Sequence, residues 1–367
     1  MLLGENGLEP PRHDRLAQLA AERHLVADQA LGHLLGDGGG AHRSLVREQR
    51  FRIGMGDRFL FNTRDNVDAI FNWPRLNIII LQVSIIGIIA IGVTQVIILG
   101  GIDLSSGSIV GATAMIVMSF AQTAIVNGNP NPKAIFGDWA MDLPVLLPIL
   151  VGLACGLIAG TINGLFVAYT RIPPFIATLG MMVSARGLAK WWSNGQPVSF
   201  PTESYAALGK GMMPVVYFIA LAILFHLILR YTVYGKHTFA IGSNEDAARM
   251  SGINVDRHKV LVYAIAAMLA SIAAVVLSSK NLTAQAGMGV MYELDAIAMS
   301  VIGGVSLAGG RGSILGTVLG ALIFGVIISG FTFLKLDAYY QEMVKGAIIV
   351  GAVVLDQWRQ RRNAAGM

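Results

Sequence analysis

The chain has 367 residues, 54% of them hydrophobic and 13% charged, with a mean hydropathy of +0.62; soluble domains carry about 25% charged residues, so a water-exposed surface around most of this chain is excluded. Its single Cys155 excludes an intrachain disulfide, and the composition excludes collagen, coiled-coil and disordered classes. The net charge of +5 is accounted for by Arg and Lys beside apolar spans rather than by a nucleic-acid surface.

Residues 1–76 form a polar, Arg-rich segment that holds 20 of the 49 Asp, Glu, Lys and Arg, ten of them Arg. Within it, residues 1–54 contain Pro10-Pro11 and a glycine-rich stretch from Gly36 to Gly40, and no apolar run long enough for the h-region of a signal peptide. From Asn77 the character changes. A membrane span needs roughly 20 mostly apolar residues, and nine segments qualify or nearly do: 77–101, 106–126, 143–169, 172–192, 212–231, 259–278, 294–308, 313–333 and 338–356. The expectation is an all-α polytopic membrane protein with a transmembrane domain over 77–358 and a tail at 359–367. The segments 172–192, with Pro173, Pro174, Arg186 and Lys190, and 294–308, rich in Gly, read as broken helices, which lipid tolerates only where protein or a cavity surrounds them. Forty-three glycines in so apolar a chain fit close helix contacts. Gly152, Gly156, Gly160 and Gly164 recur every fourth residue, as do Gly312, Gly316 and Gly320; such rows serve either helix packing or a surface that slides during a transport cycle.

Residues 100–113, GGIDLSSGSIVGAT, return at 303–317 as GGVSLAGGRGSILGT. Each copy joins the end of one span to the start of the next, and internal repeats of this kind are common in transporters. Whether the halves share an orientation depends on whether 172–192 crosses.

The loop 232–258 carries a short helix signal. Glu245 to Gly252, EDAARMSG, follows Asn244, a favoured N-cap, and closes on Gly252 at a C-cap position. The segment is either an ordinary solvated loop or a helix that seats in the groove of a soluble partner. With this loop cytoplasmic, its side collects ten Lys and Arg (Arg171, Arg230, Lys236, Arg249, Arg257, Lys259, Arg311, Arg359, Arg361, Arg362) against four opposite (Lys133, Lys210, Lys280, Lys335), so the positive-inside bias places the C-terminus in the cytoplasm. Nine spans then leave the Arg-rich residues 1–76 outside. One more apolar helix in place of most of residues 1–54 would repair the parity, and a native start of that kind is the expectation.

Ionisable groups are scarce in the spans. Asp103 sits at the first repeat junction, where it suits a cap for the next helix, and Glu293 and Asp295 sit where the seventh segment enters. This scarcity argues against an ion-coupled carrier, which needs such groups near mid-bilayer. Gln82, Thr94, Gln95 and Asn163 are uncharged polar residues that bond either a polyhydroxylated solute or each other. No P-loop is present, because Gly209-Lys210 and Gly235-Lys236 are followed by Gly and His, and the seven His show no metal-ligand spacing.

GGIDLSSGSIVG at 100–111, PPFIATLG at 173–180, GSNEDAARMSGINV at 242–255 and MYELDAIAMSVIGGVSLAGGRGS at 291–313 closely resemble the permease subunits of bacterial ABC importers for ribose, xylose, arabinose and galactosides. The similarity runs from about Asn72 to Arg362. It implies about ten helices in the family against nine here, and a homodimer in the bacterial inner membrane that receives sugar from a periplasmic binding protein. It also implies that a cytoplasmic ATPase carries the ATP and Mg, with no cofactor or metal in this chain. The family's coupling segment, an acidic residue, two alanines, three residues and a glycine, matches Asp246, Ala247, Ala248 and Gly252, with Asp in place of Glu. The expected ATPase-coupling residues are therefore Asn244, Glu245, Asp246, Ala247, Ala248, Arg249 and Gly252. The solute path is expected at Asp103, Asn163, Phe175 and Glu293, where polar groups bond hydroxyls and the ring stacks on a sugar C–H face. A branched-chain amino-acid ABC permease and an ion-coupled secondary transporter are the alternatives.

Overall fold

A computed structural model describes residues 73–333 and 338–365; the expectations for residues 1–54 and for the rest of the segment up to Asn72 fall outside them. Residues 73–367 form one compact unit. Its helices are α1 (Trp73–Ile98), α2 (Ser106–Phe120), α3 (Leu146–Tyr169), α4 (Pro174–Trp192), α5 (Glu203–Ala206), α6 (Met213–Tyr231), α7 (Val233–Ser243), α8 (Glu245–Met250), α9 (Val255–Asn281), α10 (Tyr292–Ile302), α11 (Ile314–Phe333) and α12 (Ala338–Ala365). Among the described residues, α1, α3, α6, α9 and α11 are long and apolar enough to cross a membrane, and α2 is a shorter apolar helix.

Every one of the nine apolar segments holds a helix, with altered ends. The second stops at Phe120 rather than reaching residue 126. Beyond it, Ile125–Val126 (β1) pairs antiparallel with Asn129–Pro130 (β2). Asn127 at φ +53° and Gly128 at φ +81° make the two-residue Asn-Gly turn that favours such a hairpin. The seventh segment is helical only to Ile302. The last helix runs on to Ala365. In 172–192, Pro173 and Pro174 do not interrupt a helix but start one: Pro174 is the first residue of α4, where its missing N–H costs nothing, and the helix is continuous to Trp192.

The bundle has two distinguishable ends. At one, Val198–Ser199 (β3) pairs with Thr283–Ala284 (β4), and the Tyr205 hydroxyl meets Ser278 Oγ at 2.7 Å. At the other, the Gly310 N–H donates to the Ile98 carbonyl at 2.8 Å. That bond sets the end of α1, two residues before the first copy of the repeat, against the second copy, so both repeat loops lie at the same end, and α1–α2 and α10–α11 run in the same sense. The core centres on α1, α2 and α9, whose side chains are largely buried. The glycine row of α3 faces α9: a Cβ on Gly160 would stand 2.7 Å from both Ala264 Cα and Ala267 Cβ, and one on Gly164 2.6 Å from Val260 Cα. The row is a packing seam. Thr94 and Gln95 likewise bond other helices, Thr94 Oγ1 to Ser300 Oγ at 2.9 Å and Thr317 Oγ1 at 2.7 Å, and Gln95 Oε1 to the Tyr234 hydroxyl at 2.8 Å.

Candidate functional site

The loop 232–258 is more structured than its sequence shows. It contains α7, then α8, and its last residues already belong to α9. Asn244 caps α8, its Oδ1 accepting the Ala247 N–H at 2.9 Å, while Glu245 and Asp246 occupy the first turn, where negative charge suits the helix dipole. The chain leaves through Gly252 at φ +84°. Ala248 turns inward and is buried with Val96, Leu99, Val167 and Tyr263. Met250, 89% exposed, turns out. Arg249 forks onto Asp256 at the start of α9, Nη2 to Oδ1 at 3.0 Å and Nη1 to Oδ2 at 3.1 Å, and reaches Glu245 at 3.4 Å. Glu245 also accepts from Lys259 Nζ at 2.7 Å. Hydrogen bonding to Asp256 above all, with Glu245 adding to it, pushes the Arg249 guanidinium above its ordinary value. These contacts tie the short helix to the first turn of a core helix and leave its outer face open, a rigid surface suited to seating in a partner.

The solute-path candidates do not form a single cluster. Asp103 is 1% exposed, and its Oδ1 accepts both the N–H of Ser105 at 2.8 Å and its hydroxyl at 2.6 Å, holding the turn that starts α2. Asn163 donates from Nδ2 to Ser105 Oγ at 2.9 Å, so Asp103, Ser105 and Asn163 form one buried chain linking the repeat loop to α3. Glu293, at the start of α10, lies against α2 at Gly107, where a side chain would overlap its Oε2. Phe175 stands apart on the first turn of α4, 51% exposed. Asn163 Oδ1, Glu293 Oε2, Ser106 Oγ and the Tyr263 hydroxyl are buried without a hydrogen-bond partner. Buried polar atoms are normally satisfied, so this junction keeps unused hydrogen-bonding capacity.

Two cavities flank it. One of about 780 Å³ lies between α2, α3 and α4, with Asn163, Thr113 and Ser184 as polar residues in an otherwise mostly aliphatic wall. Another, of about 520 Å³, is lined by Gly100, Gly101, Arg171, Glu245, Arg249 and Tyr263, among others.

Arg186 was legible in the sequence only as an interruption of an apolar run. In the structure it donates from Nη1 to the carbonyls of Ala286 and Met288, both at 2.8 Å, and so pins the non-helical residues before α10. Lys345 pairs with Asp295 at 3.0 Å, joining α12 to α10. Sequence spacing carries no signal for either partnership, since the partners lie 50 residues apart or more. Among the described residues no group of three or more His, Cys, Asp or Glu could hold a metal ion.

A family model described as "Branched-chain amino acid transport system / permease component" matches residues 75–353. A ribose import permease of Bacillus subtilis is 39% identical over 292 residues, covering 77% of this chain and 85% of that protein. A galactose/methyl galactoside import permease of Escherichia coli is 37% identical over 300 residues, covering 78% and 88% respectively. The ribose import permease of Escherichia coli is 36% identical over 291 residues, covering 77% and 85%. No solved structure matches the chain significantly.

Proposed function

The chain belongs to the permease-component family of the branched-chain amino acid transport systems, and from that premise we propose that it is the membrane subunit of an ATP-driven inner-membrane importer for a monosaccharide or related polyol. The observation that carries this reading is the identity of 36% to 39%, over more than three quarters of the chain, to permeases named for ribose and for galactosides. That similarity favours sugar over branched-chain amino acids, although the family takes its description from the latter. The subunit itself does no ATP chemistry; a separate ATPase supplies it, together with the nucleotide and its Mg.

The capped helix α8, with Asn244, Glu245, Asp246, Ala247, Ala248, Arg249 and Gly252, is the surface proposed to receive the ATPase. Two features support this: an acidic first turn on a helix tied to α9, and the concentration of Arg and Lys at this end, which by the positive-inside bias makes it, and the C-terminus, cytoplasmic. The opposite end then faces the binding protein that delivers the sugar. The exposed apolar faces of α3 and α4, including Leu150, Leu157 and Val183, suit lipid and a second copy of the chain in a homodimer. Asp103, Asn163 and Glu293, with Phe175 nearer the surface, are the proposed solute-path residues. The three polar ones lie at or beside the junction that keeps unsatisfied hydrogen-bonding atoms, as a passage for hydroxyls needs.

Proteoliposomes that hold the chain with its ATPase, given binding protein loaded with ribose, galactose, xylose, arabinose or leucine, test the reading. Uptake of a sugar that requires both ATP and the ATPase is expected. Uptake of leucine alone, or uptake driven by an ion gradient without the ATPase, would replace this reading with one of the two alternatives.

A further inference from the structure

Ser243 immediately precedes the N-cap of α8, so no slack residue separates α8 from whatever Ser243 and Gly242 touch. What they touch is backbone. A Cβ on Gly242 would overlap the carbonyl oxygen of Ile98 and stand 2.8 Å from the Gly310 nitrogen. One on Gly309 would stand 2.7 Å from the Gly242 carbonyl oxygen and 3.1 Å from Gly100 Cα, and one on Gly310 2.5 Å from Ser243 Oγ. The Gly310 N–H donates to Ile98 O at 2.8 Å. Three chain segments, the end of α1, the end of α7 and the second repeat loop, thus meet almost wholly through main-chain atoms, the short Ser243 hydroxymethyl being the one side chain at the contact.

We propose that this glycine cluster, Gly242 with Gly309 and Gly310, passes displacement of α8 to both repeat loops at once, making Gly242 a positioning residue for energy transfer. The proposal rests on the reading of α8 as the ATPase-facing helix. Packed interiors have low compressibility and transmit strain, and a contact made almost wholly by backbone has few rotamers in which to absorb a push. The charged side chains of α8 offer a softer route, since Glu245 and Arg249 face Gly100 and Gly101 across the 520 Å³ cavity, and Ala248, buried in the cluster of Val96 and Leu99, adds only a methyl group to the contact. Both receiving loops lead to the solute path. Gly100 and Gly101 begin the turn that holds Asp103 and Ser105, and the loop of Gly309 and Gly310 follows α10, whose first turn carries Glu293. One step at the cluster therefore reaches the Asp103–Ser105–Asn163 chain from one side and α10 from the other.

The test uses the assembled transporter with its ATPase and loaded binding protein. In Gly242→Ala, sugar carried per ATP hydrolysed is expected to fall by about tenfold, within the range usual for coupling between sites, while the complex assembles and ATP hydrolysis persists. Gly330→Ala on α11 is the control, since nothing lies within 4 Å of a Cβ there and it lines neither cavity beside the junction. A fall in uptake and hydrolysis in proportion, with their ratio unchanged, would mark the cluster as ordinary packing and overturn the proposal. If Gly242→Ala fails to assemble, amide exchange in the unaltered complex decides. A non-hydrolysable ATP analogue is expected to change exchange in α8 and in both 98–105 and 303–313. A change in α8 without a change in the loops overturns the cluster's role alone, and no change in α8 overturns the assignment of α8 and the proposal with it.

Discussion

Replacing Gly160 with alanine tests whether α3 and α9 form the rigid pair on which the junction is built. The added methyl would stand 2.7 Å from Ala264 Cα and from Ala267 Cβ, and would overlap the Tyr263 carbonyl oxygen. Ordinary contact begins near 3.4 Å, and the carbonyl oxygen is the tightest neighbour, so the helices must part by about 1 Å, and a gap of that size forfeits up to roughly half of each dispersion contact along the seam. Overpacking of this kind costs about 1–3 kcal/mol, and the gain in helix propensity from Gly to Ala returns at most about 1 kcal/mol. The midpoint, a net loss of about 1 kcal/mol, corresponds to a fall in Tm of roughly 1–2 °C for a chain of this size. Thermal unfolding in detergent, followed by tryptophan fluorescence, reads it directly. Gly180→Ala on α4, with open space at its Cβ, is expected to hold or raise Tm in the same assay. A Gly160→Ala protein as stable as wild type, or more stable than Gly180→Ala, would show that the α3 glycines are not held against α9 as described.

Charge reversal at Arg249 removes the fork onto Asp256 and sets three carboxylates together, and Gly252→Pro forbids the φ of +84° that ends α8; each is expected to abolish ATPase stimulation and uptake while membrane insertion, read by fractionation, stays normal. Lys345→Met leaves the buried Asp295 carboxylate without its cation and is expected to lower stability by about 3 kcal/mol, most of which Asp295→Asn in the same chain restores; an unchanged Tm in the single variant would refute a pairing that matters. In a Cys155→Ser background, cysteine at Phe175 is expected to react with a water-soluble maleimide in every nucleotide state. Cysteine at Asp103, Asn163 or Glu293 is expected to react in one state alone. If none of these three reacts in any state, they are packing residues and the path lies elsewhere.

The helices of this protein are legible locally because lipid imposes a length and an apolarity on each span that a single window of sequence must satisfy. The N-cap of α8 at Asn244 and the turn at Gly252 are equally local, being set by one side chain and one φ angle. The Asn127-Gly128 hairpin went unread, because the apolar run that precedes it reaches residue 126. Pro173 and Pro174 misled in the other direction: a proline pair stops a helix that arrives and starts one that leaves, and composition does not say which. The resemblance to sugar permeases, carried by four motifs in order, already named the substrate class that the relatives support.

Tertiary structure decided which polar groups meet. No periodicity foretells that Arg186 binds the carbonyls of Ala286 and Met288, that Asn163 joins the chain begun by Asp103, or that the second repeat loop meets the end of α1 through Gly310 and Ile98. Each depends on where separate helices cross, and crossings are set by the summed packing of whole faces. The sequence by itself determined the all-helical class, the cap of α8 and the repeat, since those follow from how each short stretch satisfies its own backbone and its solvent. Only the fold determined the junction and the glycine cluster, because a contact between distant segments exists only once the chain between them has been placed.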